Sequence, residues 1–139
     1  MGLVPRLMVE GGKRAIEFYE RAFGAVRLSV IEDPMGHGVM HAELTVRGSR
    51  FYVADTMERE SDPKHLGGSP VTLHLWCDDP DAVFAKAVSE GAKVVVAMQN
   101  DDLGERSGQI EDPFGHLWSI GAVTEPLDDD EIRRRIQSG

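Results

Sequence analysis

Apolar positions along the chain change period several times, and each change marks an element. Leu3 to Val9 is an apolar run interrupted by Pro5, which suits the start or edge of a strand. Gly11-Gly12 ends it. From Lys13 to Gly24, Ala15, Ile16, Tyr19 and Ala22-Phe23 recur at helical spacing, and Gly24 is a C-terminal stop. Ala25 to Ile31 reads as a strand. Asp33-Pro34-Met35-Gly36 has the residues of a type I turn. Val39 to Val46 then alternates, with Met40, Ala42, Leu44 and Val46 on one face and His41, Glu43 and Thr45 on the other. Phe51 to Ala54 is a further short strand. Met57 to Pro70 is polar and Gly/Pro-rich, a linker and a candidate lid that includes Glu58, Arg59 and Glu60.

After the linker the pattern restarts. Val71 to Trp76 is a strand. Asp79-Pro80 opens a helix that runs to Gly91, with Asp79 as N-cap and Pro80 at the first helical position. Lys93 to Met98 is an apolar strand and Gln109-Ile110 a short one. Asp112-Pro113-Phe114-Gly115 is another type I turn, and His116 to Val123 closes as a strand. An offset of 67 (91 − 24) lays Gly24-Ala25 on Gly91-Ala92 and Ala15-Ile16 on Ala82-Val83. Both halves therefore read β-α-β-β-β, modules of about 1–56 and 70–124 joined by a 57–69 linker. They are expected to bury one shared core as a single unit over 1–124. The two turns do not obey the offset and are independent uses of one turn chemistry. The 125–139 tail places acids before arginines, as the helix dipole favours, with Asp128 as N-cap and Ile132 and Ile136 as a small apolar stripe.

At 139 residues, 41% hydrophobic and 28% charged, the composition is that of one globular domain. The net charge of −9 argues against nucleic acid and anionic membrane surfaces as partners. The one cysteine, Cys77, excludes an internal disulfide framework and a cysteine-rich metal site. It fits a reducing cytoplasm. No apolar run approaches the ~18 residues of a membrane span, and the N-terminal residues lack the apolar core of a signal peptide. Nucleotide-cofactor and serine-hydrolase motifs are absent.

The doubled module, with AIEFYERAFGA in the first helix, MHAEL in the third strand, VTLHLWCDDPDAVFAKAVSEGA opening the second half and DPFGHLWSI near the end, resembles the glyoxalase/bleomycin-resistance/dioxygenase group. This is the vicinal oxygen chelate superfamily, and within it the resemblance is to the PhnB-like branch. The resemblance implies an α+β fold of two βαβββ modules whose curved sheets form a cup with the helices outside. It also implies small-molecule chemistry or drug binding in that cup. Metal-dependent members place four ligands on the first and last strands of the modules. Those positions fall here on Val4, Thr72, Ser119 and one residue near Ala54-Asp55. Valine cannot ligate, and neutral threonine and serine are poor ligands. The expectation is a cup without the usual metal and without another cofactor.

The residues expected to line the cup are named from strand alternation. His74 lies two residues after Thr72 and is a candidate general base or substrate hydrogen-bond partner; otherwise it is a satisfied cavity histidine. His41 and Glu43 form an i, i+2 pair able to shuttle a proton, unless their face meets solvent or a second subunit. A displaced metal site would need both to converge with His74, and nothing in the spacing brings them together. Arg6 follows Val4 by two; buried in a cup it must be paired, with Glu43 or Asp55 or with an anionic substrate group. Trp76 shares the His74 face and can stack on a ligand. Asp55 and Arg106 stand beside the lid, Arg106 in a GERSG segment similar to the PhnB-like pattern. Trp118 is expected under the helix, Tyr19 and Phe18 in the core, His116 as a cap on the second turn, and Cys77 as a small buried hydrophobe.

Two functions are open at this point. One is a metal-free glyoxalase-like enzyme in which His74, His41 and Glu43 do acid–base work and Arg6 or Arg106 orients a polar group. The other is a sequestering protein of the bleomycin-resistance type, whose acidic surface draws a cationic aromatic drug onto Trp76. A homodimer is expected on either reading, because open sheet edges and an exposed rim call for cover.

Overall fold

The computed structural model describes residues 2–57 and 61–138. The elements follow in the order β1 (Arg6–Val9), α1 (Gly12–Phe23), β2 (Val26–Glu32), β3 (Val39–Val46), β4 (Ser49–Asp55), α2 (Pro63–Leu66), β5 (Thr72–Trp76), α3 (Pro80–Ser89), β6 (Lys93–Asn100), β7 (Glu105–Glu111), β8 (Leu117–Val123) and α4 (Asp129–Ser138). Two four-stranded mixed sheets result, ordered β1-β4-β3-β2 and β5-β8-β7-β6. In each, the first strand pairs parallel with the last and the other pairings are antiparallel. This is the expected α+β architecture of two βαβββ modules.

The local chemistry explains the elements. Asp79 caps α3 through the Ala82 N–H at 3.2 Å, and Asp128 caps α4 through the Glu131 N–H at 2.8 Å. Helix α1 has a different start. Its N-cap is Gly11, which has no side chain to offer. The Gly11 and Gly12 N–H groups donate instead to Asp55 Oδ1, at 2.8 and 2.9 Å, and the Val39 N–H donates to Oδ2 at 2.7 Å. The end of β4 thus caps the helix that precedes it in the chain and fixes the start of β3. Both expected turns form, with Gly36 N–H on the Asp33 carbonyl and Gly115 N–H on that of Asp112, each at 3.0 Å. The first joins the second and third strands of module one, the second the third and fourth strands of module two, so they are not equivalent in the repeat.

Four readings of the pattern change. The first strand begins at Arg6 rather than Leu3. The strand expected only at Gln109-Ile110 runs from Glu105 to Glu111. The linker carries a helical turn, α2; its residues 58–60 lie outside the described residues. Met40 does not share the core face with Ala42, Leu44 and Val46. It is 46% exposed, and Val39 is buried instead. A register irregularity between Ile31 and Glu32, opposite this point, breaks the alternation.

The core lies on the helix side of both sheets and is continuous across the modules. Helix α1 packs on α3. The α1 aromatics Tyr19 and Phe23 meet Trp118 of β8, with ring centroids at 5.6 and 4.7 Å. At its centre the buried carboxylate of Asp112 accepts from Tyr19 Oη at 2.6 Å and Trp118 Nε1 at 2.9 Å. His116 adds a third tie, donating from Nε2 to the Met8 carbonyl at 2.8 Å.

Burial, with the negative Asp112 alongside, pushes the Tyr19 hydroxyl well above the usual phenol range. The neutral phenol is the folded form. Its contribution is fully present below about pH 10, where an unfolded tyrosine begins to ionise. It is lost as pH rises from there toward the higher folded value. Tyr19→Phe is therefore expected to cost about 1–2 kcal/mol at neutral pH. The gap to the native chain narrows above about pH 10. Urea melts of both proteins across the alkaline range check this, and a gap that stays constant to high pH contradicts it.

Candidate functional site

Each sheet has one face under the helices and one open face. In module two the open face carries Thr72, His74 and Trp76 of β5, Ser119 of β8, and Ser107 and Gln109 of β7. Register brings His74 opposite Ser119, and the pair hydrogen-bonds, His74 Nδ1 to Ser119 Oγ at 3.0 Å. Trp76 stands edge-on to the His74 ring with centroids 4.1 Å apart. Trp76 is 50% exposed, whereas Trp118, one residue out of phase on β8, is 3% exposed under the helices. At Gly121, opposite Trp76, a Cβ would stand 3.4 Å from His74 Cε1, so the absence of a side chain there leaves room beside the His74 ring.

In module one the open face carries Arg6, His41, Glu43 and Tyr52. Tyr52 pairs with both Arg6 and Glu43 in register, and the His41 ring lies on Tyr52 at 4.8 Å. Glu43 pairs with Arg50 at 3.1 Å rather than with Arg6. Arg6 is exposed rather than buried and makes no hydrogen bond or ion pair among the described residues. Tyr52 and Arg50 were not singled out from the sequence. The alternation of Phe51 to Ala54 carried the signal, since it puts Tyr52 on the face that pairs with Glu43.

Two sequence-named residues lie elsewhere. Arg106 falls inside β7 on the helix face, where its guanidinium grips Asp81 at the start of α3 through two hydrogen bonds of 2.8 Å. Each partner shifts the other's ionisation toward the charged form. That pairing fixes α3 on β7 and does not reach the His74 face. Asp55 also points to the helix side, and both its oxygens are taken by the three backbone N–H groups named above. Among the described residues no hydrogen bond or ion pair joins the His74 set to the His41–Glu43 set.

The superfamily's metal does not fit these residues. Val4 has no donor atom and Ser119 Oγ is engaged with His74. The fourth position faces the open side as Ala54, because Asp55 is turned to the helix side. Thr72 is left as a single neutral hydroxyl, short of the three protein ligands that a catalytic site needs.

The described residues also form a groove of about 230 Å³ where the modules adjoin. Leu73, His74 and Trp76 form one wall; Arg47, Arg50 and Phe51, from the β3–β4 hairpin and β4, form the other. Its floor is apolar and aromatic and its rim is basic.

Residues 4–120 match the family model of the glyoxalase/bleomycin resistance protein/dioxygenase superfamily. An uncharacterized protein of Mycobacterium bovis is 38% identical over 141 residues, covering 98% of this chain and 92% of that one. The crystal structure of an Arabidopsis thaliana gene product is 33% identical, with a TM-score of 0.68 over 86% of this chain and 96% of that one. The PhnB protein of Bacillus cereus has the same fold at 20% identity, with a TM-score of 0.68 over 88% of this chain and 99% of that one. With the family model spanning most of the chain and a paired-module fold beneath it, this protein belongs to the glyoxalase/bleomycin resistance protein/dioxygenase superfamily.

Proposed function

We propose that the protein binds a small aromatic organic molecule in the groove beside His74 and works there without the superfamily's metal. The observation that carries this reading is the His74–Ser119 pair with Trp76 standing beside it, a hydrogen-bonding and stacking surface on an open sheet face. Trp76 offers a π-face, His74 a directed polar atom, and the apolar floor removes ligand surface from water. The net charge of −9 favours a cationic ligand at long range. Arg47 and Arg50 on the rim act at contact distance and favour an aromatic bearing an anionic or strongly accepting group. Glu43 offsets one of them. Within the superfamily we read the chain as PhnB-like, on its GERSG and DPFGHLWSI segments together with the fold shared with the Bacillus protein. The free, buried Cys77 suits a reducing cytoplasm. No helix among the described residues is long and apolar enough to cross a membrane.

The second reading is catalytic. In the tautomer whose Nδ1–H donates to Ser119 Oγ, His74 Nε2 holds a free lone pair and can serve a substrate as general base. One titration separates the two. Trp76 is the half-exposed tryptophan, so quenching on addition of aromatic acids and aromatic cations reports this groove. Saturable quenching that Trp76→Ala weakens at least tenfold, with no product formed, supports binding alone. Turnover that follows a bell-shaped pH profile and disappears in His74→Ala supports catalysis. Quenching untouched by either variant removes the groove from consideration.

We further propose that the working form is a homodimer. Val26, Leu28 and Ile31 of β2 and Val94, Val95 and Val96 of β6 are exposed on the edge strands of the two sheets, with Met40 exposed on the neighbouring β3. Such apolar area is what a second copy covers. Sedimentation is expected to show a dimer at tens of micromolar, and a strict monomer there counts against it.

A further inference from the structure

We propose that Glu10, Asp62 and His65 form a site for one divalent transition-metal cation, away from both open sheet faces, that fastens the inter-module linker to the end of β1. One donor atom from each, two carboxylate oxygens and an imidazole nitrogen, lie within 4.8 Å of one another. Atoms bound to one ion at ~2.1 Å are at most ~4.2 Å apart. A small movement of the exposed Glu10 side chain closes that gap.

The independent sign of a ligand is Asp62. Its side chain is 0% exposed. Oδ1 meets His65 Nδ1 at 2.5 Å, but Oδ2 is buried with no hydrogen-bond partner. A buried carboxylate oxygen without a donor is costly, and the second carboxylate, on Glu10, adds repulsion. Nor does Asp62 recover the cost as a helix cap, because its side chain accepts no hydrogen bond from α2. A divalent cation answers both the orphan oxygen and the repulsion, and His65 gives it a third ligand. It coordinates the orphan oxygen, it neutralises Glu10 and Asp62 together, and it uses an imidazole whose other ring nitrogen can carry a hydrogen bond.

The donor set selects the class of ion. Two oxygens and an imidazole suit first-row transition cations, whereas magnesium and calcium favour oxygen ligands and more of them. The place of the site gives it a role. Glu10 follows the last residue of β1, Asp62 is the N-cap of α2 and His65 lies within that helix. Pro63 leans on the β7–β8 turn, its Cβ 2.7 Å from where a Gly115 side chain would start. An ion here ties module one to the linker beside the turn that carries Asp112.

The full chain is stripped with a chelator and titrated with zinc by calorimetry, and its melting temperature is followed in zinc and in magnesium. The expected result is saturable binding of one zinc with a melting temperature several degrees higher, and no shift with magnesium. Glu10→Gln and His65→Ala should each weaken binding at least tenfold, while His74→Ala retains it. Asp62→Asn should abolish binding; if that variant does not fold, the exposed Glu10 carries the test. The proposal is overturned by absence of saturable binding, by magnesium acting as zinc does, by binding indifferent to Glu10→Gln and His65→Ala, or by binding lost in His74→Ala.

Discussion

Replacing Asp112 with alanine is expected to cost about 3–5 kcal/mol. The carboxylate is 2% exposed and accepts four hydrogen bonds. Oδ1 takes the Phe114 and His116 N–H groups at 2.9 and 3.0 Å, which hold the turn. Oδ2 takes Tyr19 Oη, which ties module one to module two, and Trp118 Nε1 within module two. Alanine leaves all four donors facing a dry cavity. Asparagine keeps an acceptor for one pair only and presents N–H to the other, so Asp112→Asn should fall between. Whole-domain stabilities are typically 5–15 kcal/mol, so the alanine variant should melt at much lower urea. A double-mutant cycle with Tyr19→Phe should return a coupling of about 1 kcal/mol or more. Additive losses would mean that the short Tyr19–Asp112 contact contributes nothing of its own.

The second large effect is expected at Asp55. Asp55→Ala should cost about 2–4 kcal/mol, because α1 has no other cap at its first N–H groups and β3 loses the anchor of Val39. A carboxylate at a helix N-terminus also meets the favourable end of the dipole. The site is closely fitted. A Cβ at Gly12 would lie 2.6 Å from Asp55 Oδ2, and one at Gly38 would lie closer still. Gly38 in addition holds φ at +107°, which disfavours any side chain. Gly38→Ala should therefore mimic much of the Asp55→Ala loss, and the two together should cost less than their sum. Thermal melts of the three variants test this. If Asp55→Ala melts within a degree or two of the native chain, backbone hydrogen bonding to water replaces the carboxylate and the capping account is wrong.

How much of this was legible beforehand depended on the range over which each residue acts. Asp79, Asp128 and the two turns are read correctly because their partners lie two to four residues away. The doubled module is legible because a glycine of positive φ follows each helix, Gly24 as the C-cap of α1 and Gly91 one residue past the Glu90 C-cap of α3. The strand from Glu105 to Glu111 is hidden because its two faces break the usual code. Arg106 occupies the helix side and spends its charge on Asp81, and Gly108 is small because Phe84 and Met98 press on it within 2.8 Å of where a Cβ would be. What remains is polar and glycine-rich and shows no apolar period. In the candidate site, alternation put His74 and Trp76 on one face of β5, and the family resemblance named Ser119, which the register brings opposite His74. Alternation could not show that Asp55 faces the opposite way, since a strand end two residues long in the pattern does not fix its phase. Nor could it foresee contacts such as Tyr19 with Asp112, which span 93 positions.

The junction of the modules has a consequence for how this scaffold can vary. Its continuity comes from the helix side, through α1, α3 and the Asp112 cluster, and among the described residues the open sheet faces contribute no hydrogen bond to it. On the proposed reading, stability rests on the helix side of the strands and recognition largely on the other, with Leu73 and Phe51 serving both as core and as groove wall. Successive residues of β5 show the division most plainly, with Leu73 and Leu75 packed inward and Thr72, His74 and Trp76 on the open face. A lineage of such chains can exchange every outward residue of β5 and acquire a new specificity while the inward ones keep the two repeats folding as one cooperative body.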